Sequence, residues 1–119
     1  MEMIQLISTL WQSRTQSHVW HHQTDSYAEH KALNNYYDEI VGLVDGLVES
    51  YEGVYPTLSG YTTSPLVDYK EGGSTIYFKG LYDFIQKGRT TLPQESWIQN
   101  QLDNIAELVS ETIYMLHFK

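Results

Sequence analysis

Residues 54 to 74 constrain the fold more than any other stretch, because they place Pro56, Gly60, Thr62-Thr63-Ser64-Pro65 and Gly72-Gly73 between two long helical patterns. A connection of about twenty residues inside a small domain needs a reason. If the helices on either side run parallel, the chain must travel back along roughly 35–40 Å of helix at 1.5 Å per residue, and a connection of this length does so. One short turn of helix is predicted after Ser64-Pro65.

The flanking segments carry helical periodicity. From Ile4 to about His22, apolar residues recur at Ile4, Ile7, Leu10 and Trp11, and the same face continues through His18. A second helix is predicted from a cap at Asp25 or Ser26 to about Glu52, with Glu29 in the capping-box relation to Ser26 and Gly53 as its stop. Its stripe is Leu33, Tyr37, Ile40, Val44, Leu47 and Tyr51. Gly42 and Gly46 each weaken that helix by roughly 1 kcal/mol relative to alanine, which points to close approach of another helix. A third helix runs from Ser74 or Thr75 to about Gly88, with Ile76, Tyr77, Leu81, Phe84 and Ile85 inward. After a turn at Thr90-Thr91-Leu92-Pro93, a fourth runs from about Gln94, with Ile98, Leu102, Ile105, Val109, Ile113 and Leu116 as its stripe. The expected fold is all-α: one four-helix bundle domain over residues 1–119, with the long crossover between its second and third helices.

Fifteen acidic against seven basic residues give a formal net charge of −8, the wrong sign for tracking a phosphate backbone. The cations are scattered, with only Lys87 and Arg89 close together, so no nucleic-acid partner is expected. Cysteine is absent, which removes disulfides, thiolate sites and thiol nucleophiles. Any metal must then be held by oxygen and imidazole, which favours iron, manganese or zinc. No window approaches the roughly 18 consecutive apolar residues of a membrane span, and Met1-Glu2-Met3 leads directly into an amphipathic segment. A cytoplasmic protein with no membrane partner is the expectation.

The second helix also carries a polar face. With His30 set at zero and each residue advanced by 100°, Asn34, Asp38, Asp45 and Glu49 fall between roughly 40° and 100°, well away from the core stripe. His30 and Asp45 are fifteen residues apart, roughly 22 Å along one helix, so they cannot ligate one metal within one chain. Two antiparallel copies of the helix about a two-fold axis bring His30 of one chain beside Asp45 and Glu49 of the other, and His18 on the first helix completes the pocket.

The segment from His18 to Glu49, HVWHHQTDSYAEHKALNNYYDEIVGLVDGLVE, resembles the ferroxidase region of Dps, the miniature ferritin that protects starved bacterial DNA. The family pattern is a histidine on the first helix, a second twelve residues later, an acid four after that, another acid eleven further on and a glutamate four beyond. Those steps fall here on His18, His30, Asn34, Asp45 and Glu49. The tail from Glu107 to Phe118, with Tyr114-Met115-Leu116, is similar to the end of the family's last helix, and HHQTDSYAEHKAL resembles small Dps-like proteins of tailed bacteriophages. The resemblance implies a ferritin-like bundle, a two-fold dimer that builds into a larger cage, and iron held between subunits. The two histidines and first acid come from one chain in that family, and the last two acids from its mate. It also implies a cytoplasmic setting, the bacterial host's if the protein is phage-encoded, with virion association as a further option.

Two departures limit what carries over. Asn34 replaces the family's aspartate, exchanging a charged ligand for a neutral amide, and Asp38 one turn on is a candidate substitute for it. The family's lysine-rich extension is missing, so its DNA binding does not carry over. Three further features have bland readings. The His18/His22 pair has the i, i+4 spacing of a bidentate metal grip but also that of two solvated histidines. Glu107 and Glu111 lack a histidine three residues on, and the tract from Tyr55 to Tyr69 reads as an aromatic-stapled crossover as readily as a docking surface. Two functions follow: Fe(II) binding and oxidation by peroxide or oxygen, with zinc or manganese as alternative metals, or a metal-free structural or interaction protein that uses the dimer face only for assembly.

Overall fold

In a computed structural model, residues Met1–Phe118 are described. Four helices form, α1 over Met3–Gln23, α2 over Tyr27–Glu52, α3 over Gly73–Gly88 and α4 over Ser96–Met115, with a single 3-10 turn at Arg89–Thr91 and no strand among the described residues. The chain is an all-α four-helix bundle. No helix among the described residues is long and apolar enough to cross a membrane.

Local chemistry sets the helix ends. The Glu2 N–H donates to Gln5 Oε1 at 2.7 Å at the start of α1, and the Glu29 N–H donates to Ser26 Oγ at 3.2 Å at the start of α2. The capping box expected at Ser26 is only half made. The Ser26 N–H goes instead to Thr24 Oγ1 at 3.1 Å, and the Glu29 carboxylate turns inward. Gly53 ends α2, and Gly72, at φ 79°, makes the left-handed step into α3 that a side chain would resist.

Apolar side chains from all four helices fill the centre, among them Leu6, Leu10, Leu33, Ile40, Leu47, Phe78, Ile85, Ile98, Leu102 and Ile105, each fully buried. Tyr36, also fully buried, packs edge-to-face on Phe78 with ring centroids 4.7 Å apart, and its hydroxyl pairs with Ser13 at 2.6 Å. Contacts between helix ends fix their directions. Glu29 near the start of α2 bonds Ser74 near the start of α3, and Gln101 on α4 reaches Ser50 near the end of α2 at 2.9 Å. The N-terminal turns of α2 and α3 therefore lie at one end of the bundle.

The connection between α2 and α3 is extended and lies along α1, from the Thr62 N–H on Ser8 Oγ at 3.2 Å to the Tyr69 N–H on Gln23 Oε1 at 2.7 Å. Midway, the buried Gln16 side chain both donates to and accepts from the Val67 backbone at 2.9 Å, and the Trp20 indole adds a bond to the Val67 carbonyl at 2.8 Å. These side chains stand in for a neighbouring strand and satisfy backbone groups that would otherwise lack partners. The predicted helical turn after Ser64-Pro65 is absent, because this segment spends its polar groups on α1 instead.

Several predicted core positions differ. Tyr36, not Tyr37, is the buried tyrosine of α2, and Ile76 is 75% exposed while Phe78 occupies the core. On α1 the buried face runs through Met3, Leu6, Ser13, Ser17 and Trp20, leaving Ile4, Trp11 and His18 half-buried. Gly42 meets nothing within 4 Å of where its Cβ would stand, so no helix of the same chain approaches it.

Candidate metal centre

The short turn between α1 and α2 folds the last residues of one helix onto the first of the other, and four histidines gather there. His21 Nδ1 lies 2.8 Å from the His30 carbonyl oxygen, and His30 Nδ1 lies 2.8 Å from the His21 carbonyl oxygen. A carbonyl only accepts, so Nδ1 donates in both rings, and Nε2 is the ring nitrogen not engaged by this pair. The rings stack with centroids 3.7 Å apart at 19°. This reciprocal pair locks two rotamers and stitches the helices together.

His18 lies one turn back on α1, stacked on the Tyr37 ring with centroids 4.0 Å apart at 10°. Burial holds its pKa below the ordinary value of 6.5, repulsion from His22, His21 and Arg14 adds to the fall, and attraction to Asp38 partly opposes it. Burial, then the Asp38 charge, pushes the Tyr37 phenol up. His21 stands between the two histidines of the sequence pattern, 5.9 Å from His18 by ring centroids and in contact with His30.

Asn34 is engaged at both ends. Its Nδ2 donates to Asp38 Oδ2 at 2.8 Å, and its Oδ1 accepts from the Tyr37 hydroxyl at 3.0 Å. Asp38, Asp45 and Glu49 are all exposed. His18, His30, Asn34 and Asp38 thus share one end of the α1–α2 hairpin through His21 and Tyr37, while Asp45 and Glu49 lie towards the far end of α2, roughly 22 Å and 28 Å from His30. Among the described residues of a single chain, no three His, Asp or Glu side chains form a group that could hold a metal ion.

Two residues prove central to this end: His21, to which the sequence assigns no role of its own, and Glu29, to which it assigns only a helix cap. His21 pairs with His30 because the turn, centred between Asp25 and Ser26, lies equally far from both along the chain. Glu29, 9% exposed, accepts hydroxyl hydrogen bonds from Thr24 at 2.5 Å, Tyr69 at 2.6 Å and Ser74. Its carboxylate therefore ties the hairpin turn, the crossover and the start of α3 to one point, while its backbone sits in the first turn of α2, where negative charge is favoured.

The fold and this end of the hairpin define an all-α bundle with an imidazole-rich end and an acidic, uncovered helix face. The chain belongs to a family of unknown function, DUF5856, which it matches over residues 21–116. His30, Asn34, Asp38, Asp45 and Glu49 fall inside the matched region, and His18 precedes it. No curated protein and no solved structure matches the chain.

Proposed function

We propose that this chain is a ferritin-like bundle of the Dps type that binds and oxidises Fe(II) between two subunits. Each site combines His18, His30 and the Asn34/Asp38 turn of one chain with Asp45 and Glu49 of another. The observation that carries this reading is the orientation of His30. Its Nδ1–H is held by the His21 carbonyl, which leaves Nε2 for a ligand on the helix that also carries Asp45 and Glu49. Metal-binding histidines are characteristically oriented in this way, by donating the far ring N–H to a carbonyl or carboxylate. Two findings support the ferritin-like arrangement: the N-terminal turns of α2 and α3 lie together, and the connection tracks α1 between them.

Iron is the substrate in this proposal. Two Fe(II) ions each give one electron to one hydrogen peroxide, which takes up two protons and leaves as two waters. Asp45 and Glu49 favour the more highly charged Fe(III), and imidazole completes the donor set. A metal-free assembly protein is the second reading, and Asn34 favours it. Both ends of its amide are already bonded, and it brings no charge to a ligand position.

Fe(II) oxidation followed by absorbance separates the two. The ferroxidase reading predicts oxidation by the wild type, faster oxidation and tighter Fe(II) binding in Asn34→Asp, and loss of both in His30→Ala. If neither the wild type nor Asn34→Asp binds iron, the α2 face serves assembly alone.

A further inference from the structure

The end of α1 holds more imidazole than the inter-subunit set uses. His18 and His22 lie one turn apart with ring centroids 4.8 Å from each other at 42°. The His18 ring is held in place by the Tyr37 stack, and His22 is exposed, so its ring adjusts at little cost. We propose that His18 and His22 together chelate one Zn(II), or another late first-row divalent cation, within a single chain, with water filling the remaining positions.

Two lines of argument carry this. Two Zn–N bonds of about 2.05 Å at a tetrahedral angle hold their nitrogens about 3.4 Å apart, within reach of rings at the observed separation. His22 lies in the last turn of α1, where the unpaired carbonyls favour a cation. His21 acts as a flanking wall, because its Nδ1 is committed to the His30 carbonyl and its ring lies against His30. Imidazole donors without thiolate suit zinc, copper and nickel.

This site needs neither a second subunit nor Asp45 and Glu49, so it stands apart from the proposed ferroxidase even though both claim His18. The test is Zn(II) titration of the Asp45→Ala/Glu49→Ala double variant, which lacks the inter-subunit acids, with and without His22→Ala. His22 is exposed near a helix end and alanine is a stronger helix former, so the added change leaves the fold intact. One Zn(II) per chain is expected in the double variant, with the imidazole resonances of His18 and His22 shifting and that of His117 unmoved. Losing only an outer partner of a metal ligand costs about 10–100-fold in affinity, so removing His22 itself should weaken binding at least about tenfold. Unchanged Zn(II) affinity in His22→Ala, or no Zn(II)-dependent shift at His18 and His22, overturns the proposal. A failure of iron oxidation in the wild type counts against the ferroxidase alone.

Discussion

The two halves of α2 put their polar side chains to different uses. In the first half, Glu29, His30, Asn34 and Tyr36, with the Ser26 cap before them, are all bonded to partners within the chain. In the second half, Asp45 and Glu49 are exposed, Gly42 faces open space, and Gly46 has only the Gln101 amide oxygen near its missing side chain, at 3.6 Å. The first half is organised by its own fold. Around Gly42, Asp45 and Glu49 the second half carries charge and low bulk on an exposed surface, and a partner helix could approach closely there.

The strongest way to sharpen this contrast is to break the first half at Glu29. Glu29→Ala leaves the hydroxyls of Thr24, Tyr69 and Ser74 without their shared acceptor, and the expected loss is about 3 kcal/mol in a urea titration. A loss below 1 kcal/mol means the knot is ornamental. The second half is probed by Gly42→Ala, which meets no neighbouring atom within its own chain. Helix propensity alone predicts a gain of about 1 kcal/mol in the stability of the isolated chain. If another copy packs closely at Gly42, the same change weakens the assembly, and native mass spectrometry should record that loss while the melting of the subunit rises.

The smallest effect expected is one of pH. The folded pKa of His18 lies below 6.5, so the unfolded chain takes up the proton first as the solution is acidified. Stability is complete above pH 6.5 and falls as the pH drops from there towards the folded value, below which the loss stays constant. His18→Gln should flatten this slope between pH 7 and 5, and an unchanged slope would assign the pH dependence to other groups.

Much of the fold was legible because its signals are local. Ser26, Gly53, Gly72-Gly73 and Pro93 punctuate the helices by their own backbone preferences. The errors arose where distant partners decide. Tyr36 and Tyr37 are adjacent and chemically identical, so periodicity cannot choose between them; the Ser13 hydroxyl, twenty-three residues away, accounts for burying Tyr36. On α1, Ser13, Gln16 and Ser17 are buried because each finds a backbone carbonyl, a gain that hydropathy counts as polar and therefore exposed. At this end of the hairpin, the distance of His30 from Asp45 and Glu49 along one helix follows from spacing alone, but the His21 latch does not, because it depends on where the turn centres and on two carbonyl contacts.

Shared ownership of the site by two chains is the central claim, and a mixed dimer tests it most directly. One chain carries His30→Ala and the other Asp45→Ala, each with its own affinity tag so that only the mixed species is recovered. One of the two symmetry-related sites then lacks both residues, while the other regains both. Equilibrium Fe(II) binding should give half the wild-type iron per dimer, against none in either parent dimer. Iron binding in the mixed dimer no greater than in the parents would contradict shared ownership of the site.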